Sequence, residues 1–515
     1  MKIFSLFVLV STFCGQLAFG SPGKRGDSSE LCINGEFQFE PSVDSIDAVI
    51  WPEFISEGKE EKSPKVLRRF SIFNHKFSVE FVGRRRSFYF SLGYRKRGSE
   101  GRVDLLHQYF FEGHGVVRVK VYRTYELSGS EDSLAFSGES ASVLAVQYKA
   151  VKMEARFKRT YVKRIFQEVG GELDSLNFMS YLKLSYRIRE ESLKEELDTL
   201  EHYAVVVPPA VFKVVQANAA SRIWGDDCYF LQYLYRRFVQ DGFNRGIGDI
   251  EKYSARARLR RFYDDAIETL GVNNFGDSDM VRAKDYLSFI RYRAAIRSFI
   301  LDERPKEVYL YLKVKYKGRL LQELLTEYLF NSFEYIEGAD SLASDALGIV
   351  TDEELASIIR DLRLHQAPGA KAFNFELPDE NGRMVRLSDF KGRVVFMDFW
   401  FTGCSACEFY YRTLLSKVEP IFRGSDSVVF ISISVDESMA RWINSVKGGH
   451  YTSEIAVNLF TGGRGPDDSV IRYYNIEGYP RQLILDRDGR LFENNGTDLY
   501  SVENIRSKIR EAFRE

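Results

Sequence analysis

The chain has 515 residues, which is too long for a single domain and predicts about three. Apolar residues make up 44% and charged residues 28%, and the formal net charge is -1. This composition is typical of a globular protein with a sizeable core, and it provides no bulk positive charge for binding nucleic acid or an acidic membrane. We therefore expect a multidomain protein without a nucleic-acid partner.

Residues 1–20 are predicted to be a secretory signal peptide. Lys2 provides a positive start, and residues 3–10 form an apolar stretch. Ala18-Phe19-Gly20 is a small-x-small site, so cleavage is expected before Ser21. The protein is therefore expected to be exported.

A lipid anchor is the alternative fate of this segment. It would use Cys14, but Phe13 is too bulky for the position before a lipidated cysteine. No other run approaches the roughly 18 apolar residues of a membrane span. The mature protein is therefore expected to lie outside the cytoplasm without a lipid anchor.

Four of the five cysteines lie beyond the predicted signal: Cys32, Cys228, Cys404 and Cys407. Four thiols allow three pairings. The adjacent pair is expected to form one bridge, which leaves Cys32 and Cys228 to pair or to stay free. A bridge between them would tie the β-rich region to the helical one, and this is our hypothesis. Four cysteines in so long a chain cannot be the main source of stability.

Residues 30–150 are predicted to form a β-rich domain. Apolar and polar residues alternate in residues 77–81, 87–92 and 117–122, and glycines separate these runs. We expect an antiparallel sheet or a small sandwich. The three arginines at 84–86 are interpreted as a solvated turn or a charged edge strand rather than a binding patch.

Residues 151–362 are predicted to form a helical domain. Pro208 and Pro209 are a good helix start. The residues after them follow one helical face: Ala210, Val211, Val214, Val215, Asn218 and Ala219. No motif in this region suggests catalysis.

Residues 365–515 are predicted to form an α/β domain. Strand-like runs at 373–377, 394–400 and 428–435 alternate with helical patterns, which indicates a mainly parallel sheet. Residues 482–493 are interpreted as a closing hairpin.

The sequence Cys404-Ser405-Ala406-Cys407 follows the run at 394–400 and opens a helical pattern, which Pro420 should kink or end. This spacing places one thiol at the exposed start of a helix and the other one turn inward. The helix macrodipole and the free amides there stabilise a thiolate, the nucleophile of disulfide exchange. The pair therefore predicts thiol-disulfide chemistry.

Three segments carry a resemblance to a known family: P-G-A-K-A-F-N-F-E-L, L-S-D-F-K-G-R-V-V-F-M-D-F-W-F-T-G-C-S-A-C and G-Y-P-R-Q-L-I-L-D-R-D-G. Together they resemble the TlpA/ResA-like branch of the thioredoxin superfamily. The resemblance covers the last third of the chain. The upstream region resembles N-terminal regions of exported thioredoxin-like proteins from Bacteroidetes-type bacteria. The resemblance implies a periplasmic reductase that acts on protein disulfides, takes electrons from a membrane donor and needs no bound cofactor.

The resemblance also implies residue roles. Cys404 would be the exposed attacking thiolate, and Cys407 would resolve the mixed disulfide. Pro480 matches the family's cis-proline, which would turn the Tyr479 backbone toward a substrate chain. Asp398 occupies a position where thioredoxin has aspartate and the TlpA-like branch usually has asparagine. Its pKa should be raised by burial, so that it can take the proton of Cys407.

Three positions depart from the family pattern. Gly403 stands where tryptophan is common, and Ser405-Ala406 lacks the proline that commonly precedes the second cysteine. Tyr410 replaces a glutamate that often serves as acid and base in the TlpA-like branch, which shifts weight to Asp398. Gly403 could widen substrate access. It joins Trp400 and Tyr479 as a predicted substrate-binding residue.

Two other functions stay open. A thiol peroxidase would use Cys404 to attack peroxide and Cys407 to resolve the sulfenic acid, with Thr402 nearby. A binding or scaffold protein would carry the pair only as a structural disulfide. The six histidines are scattered without the spacing of metal ligands, so no metal site is predicted.

Overall fold

The computed structural model describes residues 15–18, 29–39, 45–51, 65–83, 87–95, 102–126, 129–169, 173–174, 176–240, 248–270, 275–476, 478–494 and 496–513. Most of the predicted signal segment and the arginines at 84–86 lie outside the described residues. The chain divides into two compact units, Met1–Glu303 and Arg304–Glu515. The sequence divides the chain differently, into predicted domains at 30–150, 151–362 and 365–515 that are expected to fold independently. These domain boundaries stay a prediction.

The first unit begins with strands in two sheets. The strands are β1 Gly15–Ala18, β2 Ser29–Phe37, β3 Ser45–Trp51, β4 Val66–Ser71, β5 Lys76–Gly83, β6 Ser87–Arg95, β7 Arg102–Glu112, β8 His114–Glu126 and β9 Gly129–Ser137. One sheet has the order β1-β5-β2-β8-β9 and the other β4-β3-β6-β7. The β-rich region is thereby confirmed.

An antiparallel arrangement holds for only one of these sheets. In the larger sheet, β1 pairs with β5 and β2 pairs with β8 in parallel, because long connections separate these partners along the chain. Aromatic side chains join the two sheets, and the ring centroids of Phe81 and Phe90 lie 4.8 Å apart. The alternating burial of β2 and β5 follows from this shared core.

Helices complete the first unit: α1 Ala141–Val169, α2 Phe178–Glu201, α3 Pro209–Tyr235, α4 Asp249–Phe262, α5 Asp277–Arg282 and α6 Lys284–Leu301. Helix α3 begins at Pro209, as its sequence predicts. Its side chains pack against both α2 and α6. The helical region is therefore confirmed as a feature of the fold.

The hypothesised Cys32–Cys228 bridge is wrong. Cys228 is a free thiol in α3 that exposes 1% of its surface. Cys32 lies on β2, where its Sγ accepts a hydrogen bond from Asn34 Nδ2 at 3.7 Å. Burial among the helices, and not a cross-link, explains how an unpaired Cys228 is protected.

A charged cluster supports the helices of the first unit. Arg222 Nη1 donates to Asp285 at 3.0 Å, and its Nε lies 2.7 Å from Glu154. Glu196, 3.7 Å away, exposes only 3% of its side chain. Burial raises the pKa of Glu196 to about 7, against the pull of Arg222. One guanidinium therefore balances carboxyl groups from three helices.

The second unit starts with helices α7 Pro305–Lys315, α8 Gly318–Ser332, α9 Ala339–Leu347 and α10 Glu353–Gln366. Its later helices are α11 Ser405–Tyr410, α12 Ser416–Val418, α13 Met439–Gly448, α14 Ser469–Tyr473 and α15 Val502–Glu511. Its strands are β10 Glu376–Pro378, β11 Met384–Arg386, β12 Val394–Trp400, β13 Val428–Ser434, β14 Val457–Phe460, β15 Arg481–Leu485 and β16 Leu491–Glu493. Among the described residues, no helix has the length and apolar character to cross a membrane.

A five-stranded sheet forms the centre of this unit, in the order β14-β13-β12-β15-β16. Strands β12, β13 and β14 run parallel, and β15 and β16 are antiparallel to their neighbours. Every residue of β12 and β13 is buried, because apolar layers cover both faces of the sheet. This is the α/β thioredoxin-like fold that the sequence predicts.

Candidate active site

The cysteine pair lies where β12 passes into α11. Cys404 is the N-cap residue of α11, and its Sγ accepts a hydrogen bond from the Cys407 amide at 3.0 Å. A disulfide joins the two cysteines, whose Cα atoms are 5.2 Å apart. Gly403 has a φ of +95°, which a residue without a side chain adopts readily. The helix continues through a π-helical turn at Tyr411–Leu415 and ends in a 3₁₀-helical turn at Glu419–Phe422, which contains Pro420.

Cys404 is less exposed than the sequence suggests. It exposes 6% of its surface and Cys407 exposes 2%. Cys404 is the more exposed of the two cysteines, as expected, but it does not lie open at the protein surface. The reason is an apolar cluster around the pair, formed by Trp400, Trp442 and Phe460. Both cysteines of the disulfide are therefore largely covered by these aromatic side chains.

The loop before β15 lies beside the pair. The Tyr479–Pro480 peptide bond is cis. The carbonyl oxygen of Tyr479 lies 3.8 Å from Cys404 Sγ. Phe401 meets the Tyr479 ring edge-on at 5.6 Å between centroids and exposes 38% of its surface. The fold therefore brings the predicted Tyr479 and Pro480 next to Cys404.

Trp400 does not reach the surface. Its exposed fraction is 0%, and its Nε1 donates to Ser432 Oγ at 2.6 Å. Its ring stacks on Tyr451 at 4.8 Å, and the Tyr451 hydroxyl accepts from the Gly403 amide at 3.0 Å. Trp400 thus supports the wall beside Gly403 through Tyr451.

Thr402 is held on the other side of the loop. Its amide donates to Asp436 Oδ1 at 3.0 Å and its hydroxyl to Asp436 Oδ2 at 2.6 Å. Ser445 Oγ lies 2.8 Å from the same hydroxyl, and Arg441 Nη2 donates to the Thr402 carbonyl at 2.6 Å. These contacts fix the loop that carries Gly403 and Cys404.

Asp398 lies on β12 and exposes 4% of its surface. Gln482 Nε2, on the neighbouring β15, donates to its Oδ1 at 2.7 Å. Burial raises the pKa of Asp398 to about 8, and the nearby Glu419 adds to this, whereas the Gln482 hydrogen bond opposes it. The carboxyl group is therefore able to hold or release a proton near neutral pH.

Sequence reasoning missed the residues that hold the site together: Phe401, Asp436, Arg441 and Tyr451. Phe401 lies inside the segment that carries the family resemblance. The other three lie on segments with no motif of their own, and only the folded chain brings them to the cysteine loop. The position of Phe401 directly before the loop was the one available signal. Among the described residues, no group of three or more metal-ligating side chains is placed to hold a metal ion.

The chain matches the AhpC/TSA family over residues 368–493. Thiol-disulfide oxidoreductase ResA from Bacillus thuringiensis subsp. konkukian is 30% identical over 125 residues, which are 24% of this chain and 67% of that protein. ResA from Bacillus subtilis is 29% identical over 123 residues, covering 24% and 64% of the two chains. The thioredoxin domain of a thiol-disulfide oxidoreductase from Bacteroides vulgatus is 26% identical, with 28% of this chain and 98% of that one covered and a TM-score of 0.25.

The sheet order and the helix that follows β12 define the second unit as carrying a thioredoxin-like domain. The chain belongs to the TlpA/ResA-like branch of the thioredoxin superfamily, and it is a thiol-disulfide oxidoreductase.

Proposed function

We propose that the enzyme exchanges dithiol and disulfide with protein substrates through Cys404 and Cys407. The Cys404 thiolate attacks one sulfur of a substrate disulfide, and the other substrate sulfur leaves as a thiolate. Cys407 then attacks Cys404 Sγ, so that the Cys404–Cys407 bond forms and the second substrate sulfur leaves. The observation that carries this proposal is the bonded pair at a helix start beside the Tyr479 carbonyl.

The contact between Cys404 Sγ and the Cys407 amide supports the choice of Cys404 as nucleophile. An amide that donates to sulfur favours the thiolate over the thiol, because the hydrogen bond is stronger to a charged acceptor. Cys404 is also the more exposed residue of the pair.

Asp398 is the proposed base for Cys407. With a pKa of about 8, Asp398 accepts the Cys407 proton in its ionised form, and the fraction of enzyme in that form rises as the pH approaches 8. Tyr410, at the position of the family's usual glutamate, has a pKa raised by burial and by Asp398, so it does not replace that acid.

The substrate would lie across Gly403, Phe401 and the Tyr479 backbone. An extended chain can pair with the backbone at Tyr479, as the resemblance implies. The exposed part of Phe401 offers an apolar contact beside it. Trp400 would contribute only by holding Tyr451 in place.

We also propose that the protein is exported to the periplasm and works as a reductase supplied by a membrane electron donor. The support is the signal-like segment at residues 1–20 and the similarity to ResA proteins. Rapid acid quenching of cells, followed by alkylation, should find the pair mainly reduced. A mainly oxidised pair would reject the reductase direction.

The alternatives have less support. The hydroxyl of Thr402 is committed to Asp436 and Ser445, so it is not directed at a peroxide bound to Cys404. A purely structural disulfide would have a reduction potential below about −300 mV. Turnover of a peptide disulfide, compared with turnover of peroxide, separates the three functions.

Trapping provides the direct test of the substrate class. The variant Cys407→Ser should hold exported proteins as mixed disulfides on Cys404, because the resolving thiol is gone. The matched control Cys404→Ser should hold none. Equal trapping by both variants, or by neither, contradicts the proposed roles.

A further inference from the structure

A small cavity of about 10 Å³ lies between the strands β12 and β13 and the end of the helix that starts with α11. Asp398 and Glu419 line it together with Ser432, Tyr451 and Thr452. This is about the smallest volume that can accommodate one water molecule, and its wall is polar. The cavity therefore offers a polar link between two buried carboxyl groups.

Glu419 is a buried carboxyl group in the cavity wall. It exposes 3% of its surface, and its Oε2 accepts a hydrogen bond from Ser453 Oγ at 2.7 Å. Within the described part of the chain, no lysine or arginine forms an ion pair with it. Burial raises the pKa of Glu419 to about 7, although the Ser453 hydrogen bond opposes this. Burying a carboxyl group without a neighbouring cation costs folding free energy, which points to a role for Glu419 other than stability.

The two carboxyl groups also interact with each other. The charge of Glu419 raises the pKa of Asp398, so both cannot be ionised without cost. The other titratable groups that face them are phenols: Tyr410 and Tyr500 beside Asp398, Tyr411 beside Glu419, and Tyr451 in the cavity wall. The pKa values of Tyr410, Tyr411 and Tyr500 are raised by burial, so these phenols stay neutral in the working pH range and the two carboxyl groups set the charge of the cavity.

We propose that Glu419 is a positioning residue that relays protons between Asp398 and the protein surface through this cavity. The inference rests on the proposed function. When Cys407 attacks the mixed disulfide, the Cys404–Cys407 bond forms and the substrate sulfur leaves with the electron pair of the broken bond. The thiol proton of Cys407 goes to Asp398, crosses the cavity to Glu419 and leaves past the half-buried Ser453, while solvent protonates the substrate thiolate.

The test measures kcat and KM for a peptide disulfide from pH 5.5 to 9, with full-length enzyme and dithiothreitol as reductant. The variant Glu419→Gln keeps the shape but removes the charge and the proton site. We expect kcat at pH 7 to fall about fivefold with KM unchanged. The inflection assigned to Asp398 should move to lower pH by about half a unit or more, because a neighbouring negative charge is lost.

A second variant predicts a smaller shift in the same direction. Ser453→Ala removes a hydrogen bond that stabilises ionised Glu419, so Glu419 carries less negative charge at a given pH and the Asp398 inflection should move to lower pH by less than in Glu419→Gln. The control Glu454→Gln changes the acidic residue directly after Ser453, which exposes 87% of its side chain, and should leave the profile unchanged. If the Glu419→Gln and Ser453→Ala profiles superimpose on that of the wild type, the relay is rejected while the exchange function stands. If wild-type enzyme does not reduce the peptide, the proposed function and the relay fail together.

Discussion

Asp398→Asn is expected to make the second unit more stable at neutral pH. The folded protein holds the Asp398 proton up to a pH of about 8, because burial disfavours the charged form, whereas the ordinary pKa is 3.8. Between these values, the folded state binds more protons than the unfolded state. The contribution of Asp398 to stability therefore falls as the pH rises from about 4 to 8. Asparagine carries no charge at any of these pH values, and its carbonyl can still accept from Gln482.

The magnitude follows from the same pKa difference. Each pKa unit corresponds to about 1.4 kcal/mol, so the variant should be more stable by about 4 kcal/mol at pH 7 and by almost nothing below pH 4.

Hydrogen exchange measured by mass spectrometry on the full-length, disulfide-bonded protein reads this effect locally. Peptides from β12, β13 and β15 should exchange at least about a hundredfold more slowly in the variant at pH 7, after correction for the intrinsic rates. The difference should shrink toward pH 5. Equal or faster exchange in Asp398→Asn at pH 7 would refute the reasoning.

Asp436→Asn is the matched control, because Asp436 exposes only 5% of its surface but accepts hydrogen bonds from Thr402 and Ser434. Its Oδ2 accepts from two hydroxyl groups, and an asparagine amide at that position could not accept them. Asp436→Asn should therefore lose stability, the opposite sign from Asp398→Asn.

Arg222→Met should destabilise the first unit by about 3 kcal/mol, because Glu196 and Asp285 lose their shared cation. Hydrogen exchange of peptides from α2 and α6 measures this loss. The control Arg164→Met breaks only exposed ion pairs and should lower stability by less than about 1 kcal/mol. Equal losses in the two variants would contradict this. Gly403→Ala should lower the free energy of unfolding, measured by urea titration, by about 1–2 kcal/mol, because a residue with a side chain is strained at a φ of +95°. The control Gly478→Ala, across the site, should leave the free energy of unfolding nearly unchanged. Cys228 should resist alkylation in the folded, reduced protein and react only after unfolding; rapid labelling under native conditions would show that the helices around it open readily.

The local patterns of the chain were sufficient for much of the second unit. The apolar run at 394–400 became β12, and the cysteine pair became the start of α11. Pro209 began α3. Such features depend on neighbours a few residues away, so periodicity and turn residues are enough to predict them.

The expectations that failed depended on distant contacts. The parallel pairing of β2 with β8 and the separation of Cys32 from Cys228 follow from how the chain returns on itself. The low exposure of Cys404 follows from aromatic residues on other segments. A sequence read in windows does not contain this information.

The sequence by itself determined the chemistry available to this protein: a cysteine pair one helical turn apart, after a buried strand with an acidic residue. Only the tertiary structure decided how that chemistry is arranged. Tyr479, 75 residues after Cys404, lies against its sulfur, and Gln482, 84 residues after Asp398, holds its carboxyl group. It also placed Glu419 at the cavity beside Asp398. Residue types and local spacing are written along the chain, whereas proximity between distant segments is set by sheet order and core packing.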